Sequence, residues 1–202
     1  MAEHPLAGLS AATVHEASGG HGALPSAIKP VTSRSRVCGP AFTVDCPPGD
    51  NLWLHRAIYA AAPGHVLVAG VRGETEAGYW GEILSHAALA RGLGGLVITG
   101  GVRDTEELAS LDFPVFAANV CIRGTAKDPA ARGRLGEPIR IGEIDIQTGD
   151  TVLGDGDGVV VIASAELAAV ASAAQARVTT EREILARLRR GETTLSILGL
   201  PT

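Results

Sequence analysis

Two short β-branched runs, Val66–Ala69 and Gly95–Ile98, are separated by a stretch of helical composition from Glu82 to Arg91, and this order constrains the fold more than any other feature. Each run is bounded by glycine, too short for a typical buried helix, and rich in residues that fit a pleated surface. Two apolar strands joined by a helix form a parallel pair, because a parallel connection needs a long crossover and the helix packs back onto the sheet. The chain therefore reads as α/β. Its 202 residues suffice for one full-sized core, so a single domain over residues 1–202 is expected.

Other segments fill in around that pair. Residues 9–18 (LSAATVHEAS) carry a serine able to cap a helix, and Gly19-Gly20 stops it. Segments around Ser35–Val37 and Ala41–Val44 read as strands. Pro47-Pro48-Gly49 turns the chain, and Asp50 stands at an N-cap position ahead of a helix whose apolar face includes Leu52, Leu54, Ile58 and Ala62. A short helix at Thr105–Ser110, a strand at Val115–Ala117 and a β-rich block from Ile139 to Ile162 follow. Turns in that block are marked by Thr148-Gly149-Asp150 and by Asp155-Gly156-Asp157-Gly158, which lacks the further ligands of a calcium loop and reads as a tight turn. Ser164 to Arg190 is helical, with an arginine-rich end, and Gly191 stops it.

Composition narrows the function. Aromatic residues are only 3%, so the core is built from Ala, Val, Leu and Ile. A net charge of −5 leaves no surplus of cations for a phosphate backbone, and nucleic acid is not expected as a partner. The first residues have neither a basic nor an apolar leader region, and no apolar run reaches about 18 residues, so a cytoplasmic protein without a membrane partner is expected. Cys38, Cys46 and Cys121 form no CxxC pair and read as free thiols. His4, His15, His21, His55, His65 and His86 show no metal-ligand spacing and read as surface or packing residues, His55 and His86 on helices. Neither a dinucleotide-binding nor a Walker glycine pattern is present, which leaves nucleotide cofactors unsupported.

The stretch GYWGEILSHAALARGLGGLVITGGVRDTEEL, residues 78–108, holds the chemistry. Gly81 precedes the helix that begins near Glu82, so the unpaired N–H groups of Gly81, Glu82, Ile83 and Leu84 can face an anion such as a carboxylate. Arg103 follows a strand directly, at the carboxyl end where open α/β sheets bind ligands. Asp104 reads two ways. It is a hard oxygen ligand able to hold Mg²⁺ or Mn²⁺ together with waters, and with Glu107 three residues later it also has the spacing of a capping box.

Taken with LSAATVHEA, GPAFTV at 39–44, PGDNLWLHRAI at 48–58, ARGLGGLVITGGVRD at 90–104, FPVFA at 113–117, RGTAK at 123–127 and GDTVLGDGDGVVVI at 149–162, this stretch resembles the regulator of ribonuclease activity A (RraA-like) superfamily. Within it the chain is similar to the 4-hydroxy-4-methyl-2-oxoglutarate / 4-carboxy-4-hydroxy-2-oxoadipate aldolases. The likeness runs from about Leu9 to Leu198. It implies a layered swivelling-type domain with a central mixed sheet flanked by helices, and a homotrimer or homohexamer with sites between subunits. It implies a divalent-metal-dependent aldolase that cleaves 4-hydroxy-2-oxo acids to pyruvate and also decarboxylates oxaloacetate. Gly81, Glu82, Ile83 and Leu84 then bind the pyruvyl end, Arg103 clamps the substrate oxygens, and Asp104 holds Mg²⁺ or Mn²⁺. Glu82 or a water near Asp104 is the expected proton shuttle, and no lysine is needed: Lys29 and Lys127, the two in the chain, lie outside the motif. Thr99 and His65 depart from the residues usual in the family, and Glu181 and Glu183 are candidates for completing a neighbouring subunit's site. The alternatives are a non-catalytic protein regulator of a ribonuclease and a related lyase on another 2-oxo acid.

Overall fold

The computed structural model describes residues 4–32 and 36–201. Helix α1 (Ala11–Ala17) leads to β1 (Lys29–Pro30), β2 (Val37–Cys46), α2 (Leu52–Ala60) and β3 (Val66–Val71). Then come β4 (Gly78–Trp80), α3 (Glu82–Ala90), β5 (Gly95–Val102), α4 (Thr105–Ala109) and β6 (Val115–Val120). Short strands β7 (Arg134–Leu135), β8 (Ile139–Ile141) and β9 (Ile144–Ile146) precede β10 (Thr151–Asp155) and β11 (Gly158–Ile162), with α5 (Leu167–Arg189) and α6 (Thr194–Leu198) last.

The expected parallel pair is the centre of the sheet: β3 and β5 run parallel, with Val66 opposite Gly95 and Ala69 opposite Ile98. The full order is β1-β6-β5-β3-β2-β10-β11, with β4 added to β5 and β7 to β2. Strands β2, β3, β5 and β6 are mutually parallel, whereas β1, β10 and β11 join antiparallel, so the sheet is mixed. Its two edges approach closure through one segment. Val161 N donates to Gly22 O and Leu24 N to Val159 O, both at 2.9 Å, and the chain then continues into β1 on the opposite edge. Gly22 is required there, since it has φ +84° and a Cβ would sit 2.1 Å from Val161 O.

Both faces of the central strands are covered, which is why their residues read as near-continuous apolar runs rather than alternating ones. Along β3, Leu67 and Ala69 join a core with Leu54, Ala57 and Ile58 of α2 and Leu84 and Ala88 of α3, while Val66 and Val68 join Ala41, Val97, Phe116, Val152 and Val161 on the other face. Fully burying side chains such as Leu54 and Ile58 contributes about 1.5–3 kcal/mol each and clamps α2 to the sheet. A third cluster packs α1 and the start of α5 on β10 and β11 through Val14, Leu153, Val160, Val170 and Ala174.

Several boundaries differ from those expected. The two strands anticipated around residues 35–37 and 41–44 form one ten-residue β2, continuous because Pro40 meets the antiparallel β10 without breaking the strand; Ser35 lies outside the described residues. The N-cap position of α2 is Asn51, not Asp50. Asp50 instead accepts from Leu52 N through Oδ1 at 2.8 Å and from Asp128 N through Oδ2, joining two loops. Strand β4 was not expected: it is three buried residues, too short to show a period. Helix α6 lies beyond Gly191, capped by Thr193, whose Oγ1 accepts from Ser196 N at 3.1 Å. Ser10 caps α1 as anticipated, accepting from Thr13 N at 3.1 Å. Among the described residues no helix is long and apolar enough to cross a membrane.

Candidate active site

Strands β4 and β5 end side by side, and the residues that follow them form a small cleft. Gly78 pairs with Gly101 and Trp80 with Val102, so the turn into α3 and the turn into α4 leave the sheet together. Arg103 N donates to Trp80 O at 2.9 Å and Leu108 N to Asp104 O at 2.8 Å, which locks the backbone on both sides of Asp104. Between those locks Asp104 has φ 58° and ψ 42°, and it is the one non-glycine residue with positive φ among the described residues. A left-handed conformation costs an L-residue about 1–2 kcal/mol, somewhat less for Asp, and it persists only where the surroundings enforce it.

The strain re-aims the carboxylate. Asp104 does not cap its own helix: α4 has no side-chain cap bond, so the capping box with Glu107 is not formed. Its Oδ2 instead accepts from Glu82 N, across the cleft at the start of α3, at 3.1 Å. This contact explains Gly81, whose φ of −167° is ordinary extended backbone. A Cβ there would lie 2.2 Å from Asp104 Oδ2 and 3.3 Å from Arg103 Cγ. Gly78 is under similar pressure, its Cβ position being 2.5 Å from Cys121 O and 3.1 Å from Arg103 Cδ. The glycines let the Arg103-Asp104 pair lie directly against the backbone of β4 and α3.

The cleft, about 90 Å³, is lined by two groups of residues: Gly81, Ile83, Leu84, Arg103 and Asp104 from the turns into α3 and α4, and Asn51, His55 and Lys127 from the start of α2 and the loop after β6. Of the residues expected at the site, five are thus brought together. Glu82 contributes its backbone N–H to Asp104, but its carboxylate is not part of the lining. It faces His86 on the outside of α3, 3.8 Å away and half exposed. Glu181 pairs with Arg177 along α5 at 3.0 Å, and neither it nor Glu183 lines the cleft of its own chain. Thr99 closes the β3–β5 ladder by accepting from Val71 N at 2.8 Å, and the His65 ring meets Ala62 O, so both departures from the family pattern lie outside the lining.

The second wall was not anticipated. His55, expected as a surface or packing residue, and Lys127, set aside as outside the motif, both reach the cleft. Asn51 and His55 are four residues apart at the start of α2 and so share one face. Asn51 Nδ2 donates to Tyr79 O at 2.9 Å, while Gly49 N donates to the Tyr79 hydroxyl at 2.7 Å, stitching the start of α2 to β4. Lys127 arrives by pairing of two loops: Asn51 N donates to Ala126 O at 3.1 Å and Ala126 N to Gly49 O at 2.7 Å. The signal in the sequence was the run Gly49-Asp50-Asn51 with a histidine one helical turn on. Burial lowers the His55 pKa, the Lys127 ammonium lowers it further, and Asp50 opposes the shift.

No group of three His, Cys, Asp or Glu side chains able to hold a metal occurs among the described residues. Asp104 Oδ1 accepts no hydrogen bond among the described residues and forms an ion pair with Arg103 Nε at 3.8 Å. A single open carboxylate oxygen at a solvent-accessible mouth suits a cation that keeps most of its waters, such as Mg²⁺ or Mn²⁺, rather than a closed tetrahedral zinc set.

The model of the RraA-like family, described as Aldolase/RraA, matches residues 11–161, which include every residue of this cleft. The chain belongs to the RraA-like family. A Halalkalibacterium halodurans relative named "Putative 4-hydroxy-4-methyl-2-oxoglutarate aldolase" is 37% identical over 139 residues, 69% of this chain and 65% of its own length. The chain thus matches just under two thirds of that relative. Among solved structures, an uncharacterized protein from Pseudomonas syringae pv. tomato superposes with TM-score 0.82 at 31% identity, covering 94% of this chain and 88% of that one. The RNA-processing inhibitor RraA from Thermus thermophilis shares the fold at TM-score 0.68 and 24% identity, over 80% of this chain and 93% of that one. The mixed sheet flanked by helices is therefore the RraA-like architecture that the resemblance implied, while its near-closure was not expected.

Proposed function

We propose that this chain is a carbon–carbon lyase: a divalent-metal-dependent aldolase that cleaves 4-hydroxy-2-oxo acids such as 4-hydroxy-4-methyl-2-oxoglutarate to pyruvate and decarboxylates oxaloacetate. The observation that carries this reading is the left-handed Asp104 held over Gly81 beside Arg103, in a cleft small enough for a pyruvyl group. A protein that only docked onto a ribonuclease would gain nothing from a strained carboxylate facing a cleft, whereas an enzyme gains a pre-positioned charge. The relative named as an aldolase supports the same reading.

In this mechanism the first-turn amides of Ile83 and Leu84 and the Arg103 guanidinium receive the carboxylate and keto oxygens of the substrate. Asp104 Oδ1 would be the protein ligand for Mg²⁺ or Mn²⁺, which when bound would supply positive charge at the site. As the bond between C3 and C4 breaks, negative charge moves onto the keto oxygen, where Arg103 holds it without having to reorganise. Loss of CO₂ from oxaloacetate develops the same enolate, so one site serves both reactions.

The test is pyruvate release from 4-hydroxy-4-methyl-2-oxoglutarate and from oxaloacetate in Mg²⁺, Mn²⁺ and EDTA, for the wild type and Asp104→Ala. A rate that needs the cation and falls about a thousandfold in the variant, about 4 kcal/mol of transition-state stabilisation, is expected. Folded, metal-supplemented wild type that turns over neither acid would overturn the proposal.

A further inference from the structure

A second set of charged side chains gathers at the carboxyl end of the sheet, outside the cleft. Asp45 is the penultimate residue of β2, Arg72 follows β3 directly, and Arg134 opens β7 as the cross-strand neighbour of Asp45. The Asp45 side chain is only 9% exposed and holds both guanidiniums through their Nε atoms, Arg72 at 3.0 Å and Arg134 at 2.9 Å. Arg72 Nη2 also donates to Arg132 O, and Arg134 Nη1 to Glu137 Oε2 at 3.3 Å. Arg72 Nη1 and Arg134 Nη2 are left without a partner among the described residues, on guanidiniums whose positions are already fixed. A ligand that meets such pre-set forks loses little side-chain entropy on binding.

Arg72, Arg132 and Arg134 line a groove of about 620 Å³ together with Asp45, Trp53 and Pro129, and no residue lines both this groove and the cleft. Trp53 is fixed in it. Its Nε1 donates to Ala131 O at 3.0 Å, Arg56 lies over its ring at 4.6 Å, and Gly133 packs so closely that a Cβ would lie 2.6 Å from Trp53 Cγ. The carboxyl ends of parallel strands are where open α/β sheets take ligands, and a groove of this size with a part-apolar lining and a few fixed polar groups suits a small molecule. Asp45 offsets one of the three lining arginines, while Glu137 beside Arg134 and Arg56 beside Trp53 cancel each other outside the lining. The groove is therefore locally positive on a chain whose net charge is −5. We propose that it binds a small molecule bearing two or more carboxylate or phosphate groups, received by Arg72, Arg132 and Arg134. Two anionic groups match the positive charge left over, and a guanidinium fork receives either kind of oxyanion through paired N–H donors. This site stands apart from the aldolase reading, since it shares no lining residue with the cleft.

The test is calorimetric titration of the whole chain with citrate and with pyrophosphate, in metal-free buffer at fixed ionic strength, with tryptophan fluorescence followed alongside. Saturable binding of at least one anion is expected, with a fluorescence change that Trp53→Phe abolishes, and the tighter of the two identifies the anionic group the site prefers. Arg132→Met is the first variant, because the Arg132 side chain forms no hydrogen bond or ion pair among the described residues and its loss leaves Asp45 held on both sides. It should weaken binding about tenfold, and Arg134→Met at least as much. Arg103→Met, which alters only the cleft, should bind as the wild type does. No saturation by either anion up to roughly 10 mM overturns the proposal. So does an affinity unchanged in both Arg132→Met and Arg134→Met, or one lost in Arg103→Met, which would place the anion in the cleft instead.

Discussion

The wall of the cleft built from Gly81, Arg103 and Asp104 is held by backbone, whereas the opposite wall of Asn51, His55 and Lys127 is held by contacts between segments far apart in the chain. On the first, two adjacent strands end together, a strained φ of 58° aims one carboxylate, and a glycine makes room for it. On the second, Tyr79 and the pairing of Gly49–Asn51 with Ala126 bring a histidine and a lysine to the same space, and two buried polar atoms find no hydrogen-bond partner among the described residues. On the aldolase reading proposed above, the first wall is the one that would meet the charge developing at the keto oxygen.

After the thousandfold loss expected for Asp104→Ala, the next largest effect on the first wall is expected at Gly81. Gly81→Ala puts a methyl where Asp104 Oδ2 sits, so the carboxylate must turn away and release Glu82 N. Cleavage should fall about a hundredfold, and urea melts should show about 1–3 kcal/mol of lost stability. The His55 ring signal should not move, and if it does, the two walls are not independent.

A smaller effect is expected at Lys127. Its charge disfavours the imidazolium, so Lys127→Met raises the His55 pKa toward its ordinary value. NMR titration of the His55 ring in wild type and variant checks it, and an unmoved ring pKa would mean that the Lys127 charge does not act on His55.

Smallest, and confined to stability, is the comparison of Asp104→Gly with Asp104→Ala. Both lose the carboxylate, but only glycine adopts φ 58° without a Cβ penalty, so the glycine variant should be more stable by about 1 kcal/mol. For a chain of this size that is roughly 2–4 °C in melting temperature. Equal melting temperatures would mean that the backbone at residue 104 relaxes once the carboxylate is gone.

The first wall was legible because its parts are local. Gly81, Ile83 and Leu84 open a helix, Arg103 ends a strand, and each can be placed by its neighbours in sequence. Even there one reading failed: the spacing of Asp104 and Glu107 suits a cap, yet a left-handed Asp104 points its oxygens at α3 instead. Glu82 was legible as a helix start but not in its direction, since its carboxylate lies on the outer face with His86. His55 looked like any helical histidine, because nothing nearby in sequence says what faces it.

By itself the sequence determined the parallel β3–β5 pair, the helix between them and the placing of Arg103 and Asp104 after a strand, because apolar periodicity and glycine punctuation act over a few residues. Only the tertiary structure decided the near-closure of the sheet through Gly22, the conformation of Asp104, and the arrival of Asn51, His55 and Lys127 opposite it. These depend on which strands end together and which loops pair, and such long-range contacts leave no period in the chain that makes them.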